Sequence, residues 1–285
     1  MKCGFVLPEG DARTAAEFAF EAEKAGWDGF FVWEPVWGDD AWVALTAAAM
    51  VTQRIRLGTM LSPVGRMRPW KLASETASLD KLSGGRVILS VGLGAVSSGY
   101  EAFGEITERK TRAELMDECL DILTRLWRGD DFTYVGKHYR VDLNSDTFAM
   151  KRPQAPLQQP RIPIWMVGAW GSEKSMRRAL KWDGLLPNIL EGGQVRMSPA
   201  RPDEIRAIKE FIDGESGRSK PYELVVEGET PGDDLAQALA MVEAYEQAGA
   251  TWWIEAAWGQ GSAAQVVTRI KQGPPQRELS GGFIE

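Results

Sequence analysis

The chain has 285 residues, 44% hydrophobic and 26% charged, enough for one large α/β domain or two smaller ones. Its net charge of −7 argues against a nucleic-acid partner, because phosphate contacts need a basic surface. Two cysteines, Cys3 and Cys119, fall at core-like positions, so no disulfide framework or metal site is expected and a reducing cytoplasm is the default.

No apolar run near the start is long enough for a signal peptide or a membrane span, and no membrane association is expected. The first strand is Cys3 to Leu7. Thr14 and Glu17 form a capping-box pattern, and Phe18, Ala22 and Ala25 follow at helical spacing. Trp27-Asp-Gly29 leads into strand two, Phe30 to Trp33, whose exit Glu34-Pro35 ends the ladder. Asp39 or Asp40 caps the second helix. Strand three is Ile55 to Met60, helix three opens at Pro69, and strand four is Val87 to Val91.

A second capping-box pattern, Thr111 and Glu114, opens a long helix that is apolar on two faces. Phe132-Thr-Tyr-Val135 and His138-Tyr-Arg-Val141 around Gly136-Lys137 read as a β-hairpin. A proline-rich connection then delivers strand five, Ile164 to Val167. Trp182-Asp-Gly184 echoes Trp27-Asp-Gly29 and leads into strand six, Leu185-Leu186. Strands seven and eight are Glu223 to Glu227 and Trp252 to Ala256. Eight strand-then-helix units predict one (β/α)8 TIM barrel over residues 1–285, with residues 129–161 as an insertion on its N-terminal face. A doubly wound open sheet is the runner-up, weakened because no Gly-x-Gly-x-x-Gly turn opens the first helix.

Barrel polarity sorts the chemistry, since strand-to-helix loops build the active face. The sole histidine, His138, lies between helix four and strand five and is expected to be structural, which disfavours a Ser-His-Asp triad or a histidine-bound metal. Gly168-Ala-Trp-Gly-Ser172 has the small residues of a phosphate cradle at a helix start, and Lys174, Arg177 and Arg178 follow it. A solvated basic face explains the same residues equally well. Glu34 and Glu255, at the exits or inner faces of strands two and eight, are functional candidates. A buried ion pair is the bland alternative for each. Three of the twelve tryptophans, Trp33, Trp37 and Trp170, are expected to wall an aromatic cavity.

Ile55-Arg-Leu-Gly-Thr59, Arg68 to Asp80 and Leu82-Ser-Gly-Gly-Arg-Val-Ile-Leu-Ser-Val-Gly-Leu-Gly94 resemble the luciferase-like flavin-dependent oxidoreductases. Tyr134 to Tyr139, Pro160 to Gly168, Arg177 to Gly184 and Ala248 to Glu255 extend the resemblance almost to the C-terminus. It implies a TIM barrel binding reduced FMN or coenzyme F-420 at the strand ends, and a homodimer packed through helices two and three. The implied cofactor contacts are Leu7, the bulge Thr59-Met60-Leu61-Ser62, where the family often has a non-proline cis peptide, Gly92 and Gly94, and the phosphate site Val167, Gly168, Ala169, Trp170, Gly171 and Ser172.

Many relatives carry Asp-His after strand two, where this chain has Glu34-Pro35, so Glu34 is the candidate catalytic acid. The leading expectation is a monooxygenase using reduced FMN, supplied by a separate reductase, and oxygen on a small organic substrate. An F-420-dependent hydride-transfer oxidoreductase is the alternative, and a non-catalytic flavin-binding protein is the alternative of another class. A phosphate-binding aldolase or isomerase barrel is disfavoured by the lack of a lysine within any strand.

Overall fold

The structure is a computed structural model that describes residues 1–144, 155–215, 221–258 and 262–276. Eight parallel strands close on themselves. They are β1 (Lys2–Leu7), β2 (Gly29–Val32), β3 (Arg56–Thr59), β4 (Val87–Val91), β7 (Ile164–Trp170), β8 (Gly184–Glu191), β10 (Glu223–Gly228) and β11 (Trp252–Glu255). Around the barrel they run β10-β11-β1-β2-β3-β4-β7-β8, and β8 pairs with β10 to close the ring, while the short β9 (Gln194–Val195) pairs antiparallel with the end of β8. The α-helices among the described residues are α1 (Ala12–Lys24), α2 (Ala41–Val51), α3 (Pro69–Leu82), α4 (Arg109–Arg128), α5 (Glu173–Ala179), α6 (Pro202–Glu215), α7 (Leu235–Gln247) and α8 (Ala263–Lys271). The barrel expectation holds.

Alternation along each strand separates two cores. Val6, Phe31, Met60, Ile88, Trp165, Leu186, Val225, Trp252 and Ile254 fill the barrel, while the larger outer core lies between strands and helices. Inside, Trp165 and Trp252 meet edge to face at 5.1 Å, and Phe31 packs on both. These rings plug the lower barrel and give the upper mouth a floor.

The repeated Trp-Asp-Gly has one physical role in both places. Asp28 accepts from the Cys3 amide at 2.8 Å and Asp183 from the Ile164 amide at 2.9 Å, so each pairs an amide at the start of a neighbouring strand. Arg86, after the Gly-Gly stop of α3, donates to the carbonyls of Ala49 and Thr52 at the end of α2. It thus fills acceptors that a helix end leaves open. Helix starts differ by a few residues from their sequence signals. Asp11, not Thr14, caps α1, and Glu108, not Thr111, caps α4, in each case by accepting the backbone amides the sequence had paired otherwise.

The hairpin, β5 (Thr133–Val135) and β6 (Arg140–Asp142), forms as expected but sits elsewhere. Its turn lies against the N-terminal half of α4, where Glu118 accepts from the Lys137 and Tyr139 amides. The Tyr139 hydroxyl reaches the Met67 carbonyl, on the strand-exit side. The connection that follows does lie at the N-terminal face, where Gln158 bonds Asp80 and the Val87 carbonyl. Residues 145–154 of the insertion lie outside the described residues. Met60–Leu61 and Gln159–Pro160 are cis peptides, the former within the segment where the resemblance placed one.

Candidate active site at the strand exits

A cavity of 1180 Å³ opens at the C-terminal ends of the strands. Of the residues expected to hold a cofactor, Met60, Leu61, Gly94, Val167, Ala169 and Ser172 line it. Leu7, Thr59, Ser62 and Gly92 stand behind that wall. Thr59 and Ser62 are fully buried, and Gly92 packs its open side on Leu61 and Val167.

The expected phosphate cradle is not a loop. Gly168, Ala169 and Trp170 continue β7 in register with Pro187, Asn188 and Ile189 of β8, and the Ala169 amide donates to Ser175 Oγ at 3.0 Å. A side chain at Gly168 would point at Leu185, Ala179 and Met176, into the layer under α5 rather than into the cavity. Trp170 packs edge to face on Phe211, also outside the cavity. Gly171 turns the chain at φ +99° and likewise lies off the cavity wall. Arg178 pairs with Asp117, and Arg177 with Glu173 and Glu215, so these two cations already have counter-charges. Lys174 lines the cavity without a hydrogen bond or ion pair among the described residues, beside Ser172 and Ser175. The basic end of the cavity is therefore Lys174 with Arg109 and Lys110 at the start of α4.

Of the expected aromatic wall only Trp33 lines the cavity. Trp37 is 81% exposed and lies off it. Trp258, after β11, supplies a second indole.

The loop after β4 is held by two side chains. The Tyr100 hydroxyl donates to the Leu93 carbonyl at 3.2 Å, and Arg112 donates to the carbonyls of Leu93 and Gly94 while lying over the Tyr100 ring. Gly94 sits at φ +74° with Tyr100 and Pro63 against it, a close approach that leaves no room for a Cβ.

Glu34 is part-buried at the exit of β2. Trp42 Nε1 donates to its Oε1 at 3.2 Å, and the Ser62 hydroxyl donates to its Oε2. Burial pushes this carboxyl up to about 7, against the opposing pull of Ser62 and of Arg66, whose guanidinium is anchored on the Pro35 carbonyl. Ser62 suits both protonation states of Glu34. It donates to the carboxylate, or to Thr59 Oγ1 at 2.9 Å when Glu34 carries the proton. The Thr59 hydroxyl is turned to the Ser90 carbonyl and stays free to accept.

Glu255 resolves to the bland alternative. Thr230 donates to it twice at 2.8 Å, Trp253 Nε1 at 3.1 Å, and Arg269 pairs with it at 3.3 Å, all away from the cavity. His138 is likewise structural, with Nε2 3.1 Å from Glu114.

The residue that sequence reading missed is Glu227. It is the penultimate residue of β10, two positions after Val225, which belongs to the barrel interior, so alternation turns it inward and into the cavity. That spacing was a usable signal.

A family model described as luciferase-like monooxygenase matches residues 4–210. The chain belongs to the luciferase-like monooxygenase family. A relative named as a putative coenzyme F-420-dependent oxidoreductase, from Mycobacterium tuberculosis, is 34% identical over 180 residues, which are 60% of this chain and 50% of the relative. The F-420-dependent glucose-6-phosphate dehydrogenase of Amycolatopsis mediterranei is 31% identical over 214 residues, 70% of this chain and 62% of that protein. The chain thus matches only about half to three-fifths of these relatives' lengths.

Among solved structures, an F-420-dependent secondary alcohol dehydrogenase in complex with an F-420–acetone adduct superposes with a TM-score of 0.75 at 18% identity, covering 96% of this chain and 98% of that one. The monooxygenase RslO1 from Streptomyces bottropensis gives 0.70 at 16% identity, covering 95% and 97%. At these identities the likeness establishes the luciferase-like barrel fold. No described helix is long and apolar enough to cross a membrane.

Proposed function

We propose that this member of the luciferase-like family is an F-420-dependent oxidoreductase that interconverts a small neutral alcohol and its carbonyl compound. The carrying observation is Glu34, an acid at the cavity wall that titrates near neutrality and is held by a hydroxyl able to serve either protonation state. The names of the relatives support F-420 over FMN, which inverts the order expected from sequence.

The residues present fit such a group. Met60, Leu61, Leu93 and Val167 offer an apolar bed for a flat ring, and Lys174, Arg109 and Lys110 offer cations for a phosphate, with Glu108 and Glu114 near Lys110. When bound, a deazaflavin supplies a ring carbon that takes or gives a hydride. The chain supplies the proton chemistry. As the substrate carbon loses its hydride, the hydroxyl proton passes to the Glu34 carboxylate, and Ser62 turns from Glu34 toward Thr59. In the reverse direction neutral Glu34 returns the proton to the carbonyl oxygen. Trp33 and the Tyr100–Arg112 loop narrow the mouth and limit water.

The same proposal includes a second subunit. Val43, Met50 and Val51 of α2 and Trp70 of α3 are exposed, an apolar surface of the kind that marks an interface. The test of function is anaerobic decoloration of F-420 by a panel of secondary alcohols. Turnover sensitive to Glu34→Gln supports the proposal. Oxygen uptake with reduced FMN and a separate reductase, in place of F-420 reduction, supports the monooxygenase reading. Binding with neither activity supports a non-catalytic flavoprotein.

A further inference from the structure

The barrel interior is an apolar cluster that includes Val6, Phe31, Met60, Ile254 and Ala256, and Met60 carries it up to the cavity wall. Glu227 stands against that background one inward position above Val225. Its two oxygens have different surroundings. Oε2 accepts from Trp258 Nε1 at 2.9 Å, whereas Oε1 has no hydrogen-bond partner among the described residues. Both oxygens of Glu34, by contrast, already have protein donors. An indole N–H only donates, so Oε2 must be an acceptor, and any proton on this carboxyl is left to Oε1. Burial favours the neutral acid. It raises Glu227 above the usual carboxylate range, with the Trp258 hydrogen bond opposing and no charged neighbour contributing.

We infer that Glu227, oriented by Trp258, is the residue that holds the substrate in the cavity, its Oε1–H donating to an oxygen of a neutral alcohol or ketone. The inference rests on reading this cavity as the substrate site and deepens it by naming a selecting group. It also predicts a selectivity. A neutral oxygen accepts the hydrogen bond, whereas a carboxylate substrate held at Glu227 would bring a negative charge beside a buried acid on the same cavity wall as Glu34.

The test needs no turnover. With the tryptophans of the full chain labelled with nitrogen-15, the indole N–H signal of Trp258 is identified by its loss in Trp258→Phe. It is then followed with 2-butanone and with acetate as probes, with and without F-420. The expected result is a saturable shift of the Trp258 signal with 2-butanone and none with acetate. Glu227→Leu weakens the 2-butanone response about tenfold or more, as loss of one buried hydrogen bond requires. Glu227→Gln, whose amide donates where Oε1–H did, retains it.

A Trp258 signal unmoved by 2-butanone, an equal response to acetate, or a Glu227→Gln chain as unresponsive as Glu227→Leu overturns the inference. Should Glu227→Leu not fold, the wild-type and Glu227→Gln responses still decide. F-420 affinity is measured on the same samples. Its absence in the wild-type chain contradicts the proposed function without touching the Trp258 result. Intact affinity beside an unresponsive Trp258 contradicts the role of Glu227 alone.

Discussion

Glu34 shows how one residue's surroundings set both chemistry and stability. Its carboxyl is raised from 4.5 to about 7, so the folded state prefers the neutral acid. The sign follows from linkage. The contribution to stability is complete below about pH 4.5, is lost as pH rises through 7, and is absent above it. Glu34→Gln removes that loss, and the variant is expected to be more stable than wild type above pH 7 by about 2 kcal/mol, discounted for partial exposure, and little different at pH 4.5. Thermal denaturation across that range checks it. The exit Glu-Pro made Glu34 legible in the sequence. Glu227 was equally legible from its spacing to Val225, although no motif marks it as more than the end of a strand. The bonds of Glu255 were not legible, because Thr230 and Arg269 reach it from loops and helices that only the closed barrel brings together.

At the scale of elements, the strands were legible from apolar runs and the helix starts only to within a few residues. The least legible stretch was Gly168 to Ser172. Glycine and small residues mark a phosphate loop or a strand pressed on its neighbours, and composition does not separate the two. Here β7 runs to Trp170, and Gly168 is small because Leu185, Ala179 and Met176 lie against it. Gly168→Ala is therefore expected to lower stability by about 1–3 kcal/mol through overpacking, with F-420 affinity unchanged. Parallel thermal melts and cofactor titrations distinguish this from a binding role, which would lower affinity. Arg86 illustrates a constraint between elements. Replacement by Met leaves the carbonyls at the end of α2 unpaired within a buried site, and a loss of about 3 kcal/mol is expected in denaturant unfolding.

The closed barrel was the most legible feature of the whole molecule. Eight strand-then-helix units admit few arrangements, and the two Trp-Asp-Gly turns mark the same joint in each half. The flank on which the hairpin packs was not legible, since it depends on Glu118 and Met67 meeting residues distant in sequence. The proposed second subunit is tested by Met50→Glu with Trp70→Glu, which place charges on the exposed apolar surface of α2 and α3. Sedimentation is expected to show a dimer for wild type and a monomer for the double variant. A wild-type monomer contradicts the proposal.

The central claim is that the cavity at the strand exits binds a deazaflavin and that Glu34 moves the proton. The most direct measurement is titration with F-420 and FMN in parallel, followed by anaerobic reduction of F-420 by a secondary alcohol in wild type and Glu34→Gln. The account expects micromolar binding of F-420 in both proteins and turnover about a hundredfold slower in the variant. Failure of F-420 to bind wild type, or equal turnover in the two proteins, would contradict it.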